Sequence, residues 1–233
     1  MAKINIEAQF KDELDCLWNK AKADPNLKLL YNTIARGYAI EKEIETNSIL
    51  FVSMNPSFST KVGTWNNGES CKSVFYEIPV LKDSKGTNNF FNAINNFYNN
   101  IKDSNPDFPR LAHHDLLFIR ETTQENVLNW KEKYASFFKD QLDISKRIII
   151  KSDPKLIVVL NAGARKLFKE MFGNPNVDKT LGARIYRLNI ENKRETPVLF
   201  SGMLSGGRAL DLGSKESLQW HIEYILKQIG YKP

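Results

Sequence analysis

Four short, uninterrupted apolar runs constrain what this chain can fold into more than any other feature. They are Ser48–Ser53 (SILFVS), His114–Ile119 (HDLLFI), Lys155–Leu160 (KLIVVL) and Pro197–Phe200 (PVLF). Runs of this length without polar alternation are expected of strands buried on both faces, and such strands belong to parallel sheets covered by helices on each side. A fifth segment, Tyr186–Ile190, reads as an additional strand.

The intervening stretches have helical spacing. Ile6, Phe10, Leu14, Leu17 and Trp18 define one apolar face over 5–22, which Pro25 ends, and a second apolar stretch follows over Leu29–Ile40. Residues 86–101 open on Thr87 as an N-cap and place Phe91, Ile94 and Phe97 on one face. Further helices are expected over 125–150, over 162–172 with Gly173 as the stop, and over 215–230. Strands alternating with helices predict an α/β fold: a three-layer α/β/α arrangement around a central, mainly parallel four-stranded sheet. No linker-like composition divides the chain, so 1–233 is read as a single domain, with 1–45 as a helical N-terminal extension packed on it. Ligands of such sheets sit beyond the carboxyl ends of the strands.

Composition narrows the function classes. Two cysteines, Cys16 and Cys71, are too few for a disulfide framework or an iron-sulfur cluster, and three histidines have no zinc spacing, so no metal and no cofactor are expected. No apolar run reaches the roughly 20 residues of a membrane span, and the polar start is unlike a signal peptide; a cytoplasmic monomer is expected. A net charge of +6 and a pI near 9.1 favour a polyanionic partner, DNA in single- or double-stranded form, while carrying no sequence specificity.

Three places carry candidate chemistry. Ser53-Met54-Asn55-Pro56-Ser57 ends the first apolar run and leads to loop aromatics Phe58 and Trp65. Asn-Pro is a common strand-ending turn, but loop aromatics beside it also suit a flat ligand, with Asn55 holding a water. His113-His114-Asp115 opens the second run, and because side chains alternate along a strand, only one of His114 and Asp115 can face a shared pocket. The segment Met203-Leu204-Ser205-Gly206-Gly207-Arg208 follows the fourth run, with glycines that let backbone N–H groups approach a phosphate and with Arg208 and Leu210 as side chains able to fill a vacated base position.

SMNPS resembles the first motif of the uracil-DNA glycosylase superfamily, nearest to the Gly-Met-Asn-Pro-Gly form of its single-strand-selective monofunctional branch. LAHHDLLFIR (111–120) resembles the superfamily's second strand, and DPKLIVVLNAGA (153–164) its core strand-turn-helix, which is read as structural. The resemblance covers residues 48–229 and implies a DNA glycosylase that hydrolyses the N-glycosidic bond of a uracil-like or otherwise modified base flipped out of DNA. It implies that Asn55 positions the attacking water, that Met54, Phe58 and either His114 or Asp115 bind the base, and that Ser57, Gly206, Gly207, Arg208 and Leu210 contact DNA. Two departures stand out: Asp115 occupies the place of a base-reading asparagine, and Met203-Leu204-Ser205 stands opposite His-Pro-Ser, leaving donors near Ser205 to hold the departing base. A catalytically silent base-sensing module and an enzyme of free nucleosides are the alternative readings.

Overall fold

The computed structural model describes residues 2–58, 73–77, 89–188 and 195–231. Trp65, Cys71, Thr87 and the end of the expected strand Tyr186–Ile190 lie outside these residues. In chain order the elements are β1 (Lys3–Asn5), α1 (Ile6–Ala23), a 3₁₀ turn (Pro25–Leu30), α2 (Tyr31–Ala35), β2 (Ala39–Glu41), β3 (Glu43–Glu45), β4 (Ile49–Ser53), β5 (Val74–Tyr76), α3 (Asn89–Ser104) and β6 (Leu111–Asp115). They continue with α4 (Gln124–Lys133), α5 (Ala135–Ser152), β7 (Leu156–Leu160), α6 (Ala162–Phe172), β8 (Asn176–Asp178), β9 (Ala183–Tyr186), β10 (Thr196–Ser201) and α7 (Leu212–Gln228).

The central sheet has six strands in the order β6-β4-β7-β10-β9-β8. Three of its first four strands are apolar runs and the remaining one, β6, overlaps only the start of the second run; the four are mutually parallel, while β9 and β8 extend the sheet antiparallel, so the expected four-stranded sheet is enlarged. Alternation along each strand builds two cores. Leu50, Val52, Ile157, Val159 and Val198 face α1, α5 and α6; Ile49, Phe51, Leu156, Val158, Leu160 and Leu199 face α3 and α7. Every residue of β4 and β7 is buried, as a strand covered on both sides requires.

Several boundaries differ from the sequence reading for identifiable reasons. The second strand is Leu111–Asp115, not His114–Ile119, because its register is set by β4, which pairs Ile49 with Leu111 and Ser53 with Asp115. The apolar run Leu116–Ile119 lies just past the strand, wholly buried, with the Phe118 and Ile119 N–H groups donating to Gln141 Oε1. The segment 1–45 is not purely helical: Gly37, at φ 73°, follows α2, and the chain then enters β2 and β3. The expected helix 125–150 is broken at Tyr134, and the last helix starts at Leu212, capped by Asp211, whose carboxylate accepts the Ser214 N–H at 2.8 Å. Gly173, at φ 78°, ends α6 as expected.

Among the described residues, no helix is long and apolar enough to cross a membrane.

Phe51 is fully buried in the α3-side core, edge-on to Phe97 with ring centroids 6.1 Å apart. Replacing it with alanine is expected to lower the unfolding free energy by about 3–5 kcal/mol, read from the urea midpoint at constant slope.

Candidate functional site

A crevice at the carboxyl ends of the parallel strands follows from topology. The helix that follows β4 in the sequence on its way to β6, α3, packs on one face of the sheet, and α6, which follows the neighbouring β7, packs on the other, so the connections switch faces between these two strands. A cavity of about 390 Å³ fills this position, lined by residues 53–57, Phe90, Phe91, Asp115, Glu121, Thr122, Gln124, Asn161, Met203, Ser205 and Gly206.

Backbone pairing continues past the strands and fixes the first loop. The N–H groups of Leu116, Leu117 and Glu121 donate to the carbonyls of Ser53, Met54 and Pro56 at 3.0, 2.9 and 3.1 Å. Asn55 is clamped across this junction: its Nδ2 donates to the carbonyls of Pro56 (3.0 Å) and Glu121 (2.6 Å), with Ile119 O at 3.4 Å. The amide's orientation is thereby set, and Oδ1 is the atom Asn55 can turn to a ligand or a water.

Strand alternation decides between the two second-strand candidates. Asp115 lies on the α3 side and lines the cavity, whereas His114 points to the opposite face, where Nδ1 meets Glu41 Oε1 and Nε2 lies 2.7 Å from Ser145 Oγ. His114 therefore does not line the cavity. Its neighbour His113 shares the Asp115 face and stands behind the cavity wall: its ring lies edge-on to Phe90 and Phe91, and its Nε2 is 2.8 Å from Ser53 Oγ, which in turn bonds Asp115 Oδ1. The serine stands between imidazole and carboxyl, whereas in a nucleophile triad the imidazole stands between the other two. Ser53 is a connecting group, not a nucleophile.

Burial dominates the electrostatics here. It raises the Asp115 carboxyl to about 7, reinforced by the Glu41 charge and opposed by the Ser53 hydrogen bond, His114 and Tyr76. Burial and the nearby His114 lower His113 to about 3, so its imidazole is neutral. Burial and the adjacent Asp115 and Glu41 push the Tyr76 phenol well up, keeping it protonated.

No protein-family model matches the chain, and no curated protein matches it.

The other sequence candidates divide. Met54 lines the cavity and is buried against Gly163, where a Cβ would stand 2.5 Å from its Sδ, so only glycine lets the methionine lie there. Ser57, Ser205 and Gly206 also line the cavity, the last at φ 84°. Phe58 does not: its ring lies 4.4 Å from the Arg36 guanidinium and 5.2 Å from that of Arg120, and Phe90 and Phe91 supply the aromatic wall instead. Gly207 and Arg208 are exposed, but Leu210 packs over Gly202 and is not free to act as a wedge.

Asn161, read from sequence as part of a structural turn, forms a wall of the cavity. Its backbone is at φ 71°, ψ 163°, a region costing a non-glycine residue about 1–3 kcal/mol. Its Oδ1 caps α6 by accepting the Ala164 N–H at 2.8 Å, while Nδ2 reaches Met203 Sδ at 3.4 Å, and that compensates part of the strain.

The shifted groups have opposing linkage. Between about pH 4 and 6.5 folded Asp115 holds a proton that the unfolded chain has lost, so stability falls as pH rises; folded His113 lacks one that the unfolded chain holds, so stability rises. Relative to wild type, Asp115→Asn is expected to gain stability with rising pH by up to about 1.4 kcal/mol per pH unit in this window, and His113→Gln to lose as much. Urea unfolding at pH 4.5 and 6.5 reads both slopes; parallel slopes for all three proteins would show that neither group titrates as described.

Proposed function

We propose that this chain hydrolyses the N-glycosidic bond of a modified base presented out of a DNA strand. The observation that carries the reading is the convergence of Asn55 and Asp115, an amide and a carboxyl held rigidly by backbone and side-chain bonds, on a cavity walled by Phe90 and Phe91. About 390 Å³ is within the roughly 300–1,000 Å³ of small-molecule sites. The resemblance of SMNPS and the strand after it to the uracil-DNA glycosylase superfamily supports the same choice, as does a net charge of +6 for approach to a polyanion.

In this reading the base stacks against Phe90 and Phe91 and meets Asp115 with its edge, while Asn55 Oδ1 accepts a hydrogen bond from a water aimed at the anomeric carbon. The carbon–nitrogen bond breaks with its electron pair going to the base, the sugar gains oxocarbenium character, and water adds to it. The water's proton passes to solvent or to the departing base. Polar groups at Ser205 and the exposed Gly206 turn face the leaving group, where Met203 offers no charge.

Met203, held by Asn161 rather than by a charged partner, favours a second reading: a module that binds an extruded base without cleaving it. Base release from oligonucleotides carrying uracil, hypoxanthine, xanthine or an oxidised pyrimidine separates the two. Abasic product is expected from the wild type, with Asn55→Ala slower by about 10²–10³-fold. Salt-sensitive DNA binding without product from any substrate would assign the sensing role.

A further inference from the structure

We propose that Asp115 determines which base the cavity accepts: pinned at Oδ1 by Ser53, which His113 in turn holds, it presents Oδ2 as a donor to a carbonyl edge when protonated and as an acceptor to an amine edge when ionised. This rests on the nucleobase reading of the cavity.

The argument follows the protons through the hydrogen-bond chain. His113 is neutral and has one N–H. Its Nδ1 is buried without a hydrogen-bond partner among the described residues, whereas Nε2 faces Ser53 Oγ at 2.8 Å. A buried N–H without an acceptor is rarer and costlier than a bare lone pair, so the proton belongs on Nε2, donating to Ser53. The serine's own proton can then go only to Asp115 Oδ1. Oδ1 is thus an acceptor whatever the charge of the carboxyl, and a proton taken up by Asp115 resides on Oδ2.

The surroundings keep both forms within reach near neutrality. On β6 itself His113 lies 3.8 Å away and His114 sits on the opposite face, where its interaction favours the ionised form. From β2, Glu41 favours the protonated form; from β5 the Tyr76 phenol, and from β4 the Ser53 hydroxyl, favour the ionised one. Glu121 lies on the cavity wall, and the flanking residues of α3, Phe90 and Phe91, are uncharged. Burial offsets the groups that favour ionisation and brings the carboxyl to about 7. An asparagine in this place would present one fixed donor and acceptor pattern. Aspartate held in this way presents two patterns, one after the other.

The test measures binding of 1-methyluracil and 1-methylcytosine, which differ in the oxo or amino group opposite the ring substituent, to the intact chain between pH 5.5 and 8.5. The wild type is expected to favour the oxo probe at low pH and the amino probe at high pH, the ratio of dissociation constants changing by about tenfold per pH unit on either side of the crossover. Asp115→Asn is expected to give a ratio independent of pH. In Ser53→Ala, which removes a bond favouring the ionised form, the crossover moves to higher pH. A constant ratio in the wild type, with both probes bound, would overturn this assignment while leaving the nucleobase reading intact. An unmoved crossover in Ser53→Ala would overturn the pinning of Oδ1, and binding of neither probe at any pH would overturn both the assignment and the reading beneath it.

Discussion

The in-register pairing of β4 with β6, continued beyond both strands by the Leu116, Leu117 and Glu121 N–H groups, is the constraint on which the site depends. It sets Ser53 beside Asp115, and the extension orients Asn55 by pulling its amide onto the backbone of the neighbouring loop. A slip of one residue would reverse every side chain of β6, placing His114 at the cavity and turning Asp115 toward α5. The apolar residues of β6 itself oppose that slip, because Ala112 belongs to the α5-side core and Leu111 packs on the α3-side one, and a slip would exchange their faces.

Polar groups are buried on both faces of this junction. On the α5 side Glu41, His114 and Ser145 form one chain; on the α3 side His113, Ser53 and Asp115 form another. Such groups add little net stability compared with apolar residues of the same shape, yet each becomes costly when its partner is removed. They cluster at the β6 edge of an otherwise apolar sheet, beside the cavity. The strained backbone of Asn161, on the wall of the same cavity, agrees with that placement.

The layered architecture was legible in the sequence because uninterrupted apolar runs admit few arrangements, and three of the four runs are parallel strands. The strand at His114–Ile119 was misplaced by three residues, since apolarity marks burial rather than extended pairing, and Leu116–Ile119 is buried without belonging to the ladder. At the site, Asn55, Met54 and Asp115 could be found by motif and alternation. Phe90 and Phe91 could not, because on a helix they read as core residues, and Phe58 was chosen for proximity in sequence although arginines cover it. His113 left a signal that alternation should have caught: it shares a strand face with Asp115.

The position of Glu41 alters how the first part of the chain should be regarded. The segment up to residue 45 has no counterpart in the resemblance, which invites trimming it as an appendage. Yet it carries the carboxylate paired with His114, and β2 and β3 lie alongside β6, the outermost strand of the central sheet. A shortened chain beginning at residue 46 would leave a fully buried imidazole without its Glu41 hydrogen-bond partner and an edge strand without its neighbours, the conditions under which sheets recruit strands from other molecules. Residues 39–45 are therefore part of what holds the β6 edge in place, although they precede the SMNPS motif.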